Sequence, residues 1–352
     1  MSNEPIRVGL ASYGMSGTVF HAPLLTAHPG FRLHTIVERT TNHSPQRYPH
    51  VTVVRSFDAL LEDETLALVV INTPDYLHYP MAMQALRAGK HVVVEKPFTF
   101  TFAEAQTLIA LAKQHNKLLS VFQNRRWDGD FQTVQRIVQS ERLGQLVAYE
   151  ASYDRFRNAI EANNWKEGTH PDAPGSGILY NLGAHLIDQA LVLFGLPVSI
   201  TADIRTQRPG GKIPDAYELR LHYPGCQVML RSSYLVREAG PRYVLHGTEG
   251  SFVKYGLDPQ EEALKGGAIR GGPAWGQDPE SNWGLLNTQI DGLHFRGKIE
   301  TLPGNYLAYY DNVYQAITQG EALAISAEAG AAVIRVIEAA MESSREKRTV
   351  RL

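Results

Sequence analysis

The stretch Arg7-Val8-Gly9-Leu10-Ala11-Ser12-Tyr13-Gly14-Met15-Ser16-Gly17 decides the fold of the first third of this chain. An apolar run with strand character enters a turn that nearly spells Gly-x-Gly-x-x-Gly, with Ser12 where the first glycine stands. In that pattern the second glycine lets the backbone approach a pyrophosphate, and the third lets the next helix pack closely on the strand. Gly14 and Gly17 keep these two places, Met15 lies between them, and a serine is tolerated at position 12 if its φ stays negative. An ordinary strand-turn-helix with packing glycines looks the same over these residues alone, so the surroundings decide.

Outward from this turn, short β-branched runs alternate with helical stretches. Strands are predicted over 6–12, 33–38, 68–72, 91–95 and 118–123, with helices over 15–27, 57–61, 76–88 and 102–114. This rhythm implies a parallel, doubly wound α/β sheet. Thr101 with Glu104 forms a capping-box pattern, and Gly89 supplies a helix stop. Glu38 ends the second predicted strand about 20 residues beyond the glycine turn, where a carboxylate accepts bonds from the adenosine ribose. Arg39 follows at once. A carboxylate there favours NAD, whereas an arginine holds a 2′-phosphate, stacks on adenine or is merely solvated. NAD is the expected cofactor, with NADP use left open. Thr73 and Pro74 follow a strand at the carboxyl edge of the sheet, the side on which ligands bind, although such a pair is also just a turn.

Lys96 stands directly after the predicted strand 91–95, in the turn Glu95-Lys96-Pro97. A partly desolvated lysine beside a positive nicotinamide ring has its pKa lowered toward that of a working general base. Position alone leaves this reading level with a solvated lysine at a strand end.

Beyond residue 124 the pattern changes to long alternating runs, over 146–156, 199–207, 217–223 and 227–234, joined by turns rich in Pro and Gly. They predict a mostly antiparallel sheet with helices over 131–140, 179–193, 306–318 and 327–346. Residues 260–292 read as an irregular loop region. The expected domains are therefore 1–123, binding the dinucleotide, and 124–352, binding substrate. Asn181, His185 and Asp188 fall at i, i+4 and i+7, so one helical stripe carries all three. Either they form a site, or His185 is a buried histidine satisfied by Asp188.

At 352 residues two domains are the default. With 34 basic and 36 acidic residues no broad basic face is available for nucleic acid. No apolar run of about 18 residues suggests a membrane span. The single cysteine, Cys226, suits a reducing cytoplasm, and neither a His-Glu-x-x-His pattern nor a cysteine pair offers a metal set.

Three segments in register, Ser12 to Gly17, Glu95-Lys96-Pro97 and Gly175 to Asp188, resemble the glucose-fructose oxidoreductase / inositol dehydrogenase / MocA family, over nearly the whole chain. Phe122 to Asp128, Lys254 to Glu261 and Pro303 to Tyr306 further resemble a bacterial branch that includes scyllo-inositol dehydrogenases. The resemblance implies a Rossmann domain followed by an α/β domain with a large open sheet, often used for homo-oligomer contacts as a dimer or tetramer. It implies proton transfer by Lys96 with His185 at the hydroxyl of a polyol, cyclitol or sugar, a cis peptide before Pro97, and cofactor or substrate contacts from Glu95, Asn124 and Arg125. Arg155, Arg157 and Trp165 are candidate substrate contacts that are equally well read as structural. The family usually has an aspartate where this chain has Asn181; an amide still orients a hydroxyl but supplies no negative charge. Two rivals remain within the resemblance: a dinucleotide-binding regulator without turnover, and a hydrolase or epimerase that cycles a tightly held NAD.

Overall fold

Leu68, Val69, Val70 and Ile71 are all at most 1% exposed, as are Val92, Val93 and Val94. Continuous burial of this kind, instead of alternation, is what a parallel strand covered on both faces requires. The computed structural model describes residues 4–160, 177–268 and 275–352. Its first sheet comprises β1 (Ile6–Leu10), β2 (Phe31–Val37), β3 (Thr52–Val54), β4 (Leu68–Ile71), β5 (His91–Glu95) and β6 (Leu119–Phe122). They run in the order β3-β2-β1-β4-β5-β6, every pair parallel. The order reverses at β1, so the carboxyl ends of β1 and β4 flank the crevice where doubly wound sheets bind ligands. The predicted capping box is present: Thr101 accepts from the Glu104 N–H while the Glu104 carboxylate accepts from the Thr101 N–H. β3 and the single helical turn Ser44–Arg47 escape sequence reading because three and four residues are too few to show a period.

The chain divides into two compact units. The first contains residues 1–124, 260–275 and 306–331; the second contains 125–259, 276–305 and 332–352. Aromatic packing explains why the late segment 306–331 joins the first unit. Tyr309 and Tyr310, on the helix Leu307–Gln319, are at most 1% exposed, with Tyr309 edge-on to Phe122 at 4.8 Å and Tyr306 edge-on to Phe20 at 6.1 Å. Each such side chain contributes roughly 2–3 kcal/mol by leaving water.

The second unit holds a nine-stranded sheet built from β7 (Leu146–Ser152), β8 (Ser199–Arg205), β9 (Ala216–Tyr223), β10 (Cys226–Ser233), β11 (Tyr243–Gly247), β12 (Ser251–Lys254), β13 (Gly284–Ile290), β14 (Leu293–Ile299) and β15 (Val350–Arg351). Its order is β14-β13-β12-β11-β7-β10-β9-β8-β15, antiparallel except where β10 runs parallel to β7. Alternation shows directly in its centre: Val228 faces Leu221 and Leu230 faces Leu219, and all four are fully buried.

One expectation fails here. Residues 260–292 are not irregular throughout, since they include the helix Gln260–Lys265 and β13. The missed signal is Asp291-Gly292, which joins β13 to β14 with φ of 51° and 80°. Positive φ at both central residues is the backbone of a two-residue hairpin turn, and Asp-Gly between alternating runs is its strongest sequence mark.

Candidate active site

At the end of β1 the Ser12 N–H donates to Asn72 Oδ1 at 3.0 Å, and Asn72 Nδ2 donates to the Ser12 carbonyl at 2.8 Å. This reciprocal pair ties the carboxyl ends of β1 and β4 together, a role not recognised from the sequence. Ser12 is not among the residues with positive φ, and its hydroxyl accepts from the Gly14 N–H at 3.2 Å. The serine thus closes the turn with its own side chain. A Cβ on Gly17 would lie 2.6 Å from the Ser12 carbonyl oxygen and 2.9 Å from Asn72 Nδ2, so no larger residue fits there. At Gly14 the nearest atom to such a Cβ is Ser12 Oγ at 3.5 Å, and both Gly14 and Met15 are exposed. Gly17 serves packing and Gly14 leaves backbone open to a pyrophosphate, as the motif requires. The following turn, Gly17–His21, is a π-helix, a form concentrated at functional sites.

Glu38 departs from expectation. It is 4% exposed, and its carboxylate accepts four hydrogen bonds: Oε2 from the Thr41 hydroxyl at 2.7 Å and the His43 N–H at 2.8 Å, Oε1 from the Ser44 N–H at 2.8 Å and the Ser44 hydroxyl at 2.5 Å. Burial pushes this carboxyl up, but the Ser44, His43 and Thr41 donors outweigh it and hold it at about 2. A carboxylate has about four acceptor positions, so none is left for a ribose hydroxyl. Glu38 organises the loop after β2. Arg39 is exposed and, among the described residues, makes no hydrogen bond or ion pair.

At the end of β5 the peptide Lys96–Pro97 is cis, in agreement with the family expectation. Glu95 ties three segments together: its Oε1 accepts from the Ser16 hydroxyl and lies 3.1 Å from His21 Nε2, while Oε2 accepts from the Lys96 N–H at 3.0 Å. His21 is fully buried, with Nδ1 2.7 Å from the Tyr310 hydroxyl. Glu95 therefore acts as a tie between the glycine turn and the lysine turn. Burial pushes the Glu95 carboxyl up, but the bond and charge of His21, the Lys96 ammonium and the Ser16 hydroxyl bring it down to about 2.

His78, unnoticed in the sequence, is 1% exposed and spans the carbonyl oxygens of Pro97 and Thr73 at 2.7 and 3.0 Å. It joins the lysine turn to the half-buried Thr73 and Pro74 after β4. Lys96 itself is half-buried at the same carboxyl edge.

The lowered carboxyls set a pH response. A folded value below the ordinary 4.5 adds stability that is fully present above pH 4.5 and is lost as pH falls toward 2. For Glu95 the shift corresponds to about 3 kcal/mol at most. The thermal midpoint is expected to fall between pH 5 and pH 3, with a shallower fall in Glu95→Gln; equal slopes in the two proteins would show that Glu95 is not held ionised.

In the second unit the segment Leu179–Gly183 is also a π-helix and runs into the helix Ala184–Phe194. A π turn takes more residues than an α turn, so residues beyond it rotate away from the stripe that α-helical spacing predicts. Asn181 accordingly donates from Nδ2 to the Tyr234 hydroxyl at 3.3 Å. Asp188, 2% exposed, instead accepts a two-pronged ion pair from Arg126, at 2.7 Å from Nε and 2.6 Å from Nη2. Both of its oxygens are held by a guanidinium. His185 is 5% exposed on the same helix.

Asn124 and Arg125 are buried, and the Arg125 guanidinium is held by Asp128 at 3.1 Å and lies 5.0 Å over the Tyr153 ring. Arg155 also lies over the Tyr153 ring, at 5.3 Å, and donates to its hydroxyl at 3.1 Å. Trp165, with Gly175 and Ser176, lies outside the described residues.

Among the described residues no group of three His, Cys, Asp or Glu side chains is placed to hold a metal ion, and no helix is long and apolar enough to cross a membrane. A cavity of about 570 Å³ in the first unit is lined by Leu66, Ala67, Lys90, His91 and Lys117. It lies at the amino edge of β4 and β5, opposite to the ligand-binding edge.

Residues 6–123 match a family model described as the NAD-binding Rossmann fold of an oxidoreductase family, and residues 135–352 match its C-terminal alpha/beta domain. The chain is 41% identical to scyllo-inositol 2-dehydrogenase (NADP(+)) of Bacillus subtilis strain 168, covering 99% of this chain and 96% of that protein. It is 42% identical to an uncharacterized oxidoreductase of Escherichia coli strain K12, covering 99% of each. A solved structure from Bacteroides fragilis is 48% identical, with a TM-score of 0.91 over 99% of this chain and 100% of the other. With the glycine turn after β1 and the lysine turn after β5 both at the carboxyl edge of one Rossmann sheet, the chain belongs to the glucose-fructose oxidoreductase / inositol dehydrogenase / MocA family of oxidoreductases.

Proposed function

We propose that this protein oxidises a secondary hydroxyl of a polyol, cyclitol or sugar, with NADP preferred over NAD as hydride acceptor. The observation that carries the reading is Lys96, half-buried at the carboxyl edge of β5 and braced through Glu95 and Pro97. When bound, the nicotinamide supplies the two-electron acceptor. Lys96 takes the hydroxyl proton as the carbinol C–H bond breaks, and the alcohol becomes a ketone. Asn181 and His185 are assigned to recognition of substrate hydroxyls. The scyllo-inositol 2-dehydrogenase relative supports the substrate class.

The NADP preference rests on Glu38 and Arg39. A ribose reader that is already saturated cannot select an unphosphorylated 2′-hydroxyl, and the adjacent exposed arginine matches a phosphate. The same relative is named as NADP-dependent. Arg39→Ala is expected to lower kcat/KM for NADP by about 10- to 100-fold, the worth of one charge-assisted bond, with a much smaller change for NAD. Equal losses for the two cofactors would refute the assignment.

The reading as a whole is tested by following reduced cofactor at its absorbance maximum with a panel of inositols, aldoses and deoxysugars. Net reduction supports a dehydrogenase. Cofactor that co-purifies and turns over substrate without net reduction would point to the redox-cycling hydrolase or epimerase.

A further inference from the structure

We infer that the substrate carries an anionic group, recognised by Arg157 with Arg155 beside Asn181. This deepens the proposed function and rests on its placing Asn181 at the substrate. Beyond β7 the chain continues alongside residues 231–236: the Tyr153, Arg155 and Arg157 N–H groups donate to the carbonyls of Arg231, Ser233 and Tyr234 at 3.1, 3.0 and 2.7 Å. Alternation then puts Tyr153, Arg155 and Arg157 on one face. Arg157 stands 5.7 Å over the Tyr234 ring, and the hydroxyl of that same ring receives the Asn181 amide. One tyrosine therefore carries a guanidinium on its face and the candidate substrate residue at its tip.

Among the described residues the charge around this tyrosine is unbalanced. Arg208 also stacks on Tyr234, at 5.0 Å, but it is neutralised by Asp215, whose carboxylate takes Arg208 Nε at 2.9 Å and the N–H groups of Gln207 and Arg208 at 2.7 and 3.0 Å. Asp188 is held by Arg126. Asp154 accepts from the Ser233 N–H at 3.0 Å and is occupied there, while burial pushes its carboxyl up. Among the described residues neither Arg155 nor Arg157 forms an ion pair with a carboxylate. Arg155 is half-buried and Arg157 exposed, so both remain reachable. An aspartate at position 181 would cancel part of this field and repel an anion; the amide does neither. Guanidinium forks suit carboxylates and phosphates alike, so sugar acids and sugar phosphates share the required chemistry.

The test compares kcat/KM, with NADP saturating, for glucose, glucuronate and glucose 6-phosphate, alongside scyllo-inositol as a neutral cyclitol. At least one anionic sugar is expected to exceed glucose by about 10-fold or more, and which one wins separates carboxylate from phosphate. Arg157→Met, which keeps the stem over Tyr234, should reduce the anionic substrate at least 10-fold more than the neutral one. Asn181→Asp should shift preference back toward the neutral substrate. Turnover of neutral substrates with no preference for the anions, or equal losses in Arg157→Met, overturns this inference while leaving the dehydrogenase reading standing. No net reduction with any substrate, despite cofactor binding measured by fluorescence, overturns the dehydrogenase reading and this inference with it.

Discussion

Lys96→Met is expected to lower kcat/KM for alcohol oxidation by about 10³-fold, in the middle of the range for loss of a positioned general base. Binding of the reduced cofactor, read by fluorescence titration, should change little, because the turn is held by Glu95 at the Lys96 N–H and by His78 at the Pro97 carbonyl, and neither contact uses the lysine side chain. Lys96→Arg separates the two roles a cation could have. Arginine keeps the charge but stays protonated, so it should be nearly as inactive as methionine if the lysine moves a proton. Activity close to wild type in Lys96→Arg would mean that charge alone is needed at this position. Activity unchanged in Lys96→Met would remove the lysine from the chemistry.

The second large effect concerns stability. Asp188→Ala removes the carboxylate that pairs with the Arg126 guanidinium, which is 16% exposed. Losing one partner of a buried pair costs about 3–5 kcal/mol, because the remaining ion stays desolvated. A clear fall in the thermal midpoint is expected, with KM for substrate nearly unchanged. Joint replacement by Arg126→Met and Asp188→Leu should recover much of the loss, since an apolar pair carries no desolvation cost. A raised KM with an unchanged thermal midpoint would return Asp188 to the substrate.

These two residues show what kind of information sequence carries. Lys96 was legible because its cause is local: a β-branched run sets the strand, the proline sets the turn, and a parallel strand must deliver its next residue to the carboxyl edge. The Arg126 partner of Asp188 was not legible, because it lies 62 positions away and the π turn before Asp188 changes the stripe on which it lies. The bonds of Glu38 were hidden for a related reason. Its position after β2 was correct, but Thr41, His43 and Ser44 reach it only because the loop folds back, and polar residues in a loop do not announce their acceptor. His78 went unseen because its partners are backbone carbonyls, which every residue possesses.

The sequence by itself determined the parallel sheet, the glycine turn and the place of Lys96, since backbone periodicity and steric limits act between near neighbours. Tertiary structure alone decided which charges are free to act. It closed Glu38 and Asp188 with partners and set Asn181 against Tyr234, because electrostatic availability depends on what stands opposite a group in space.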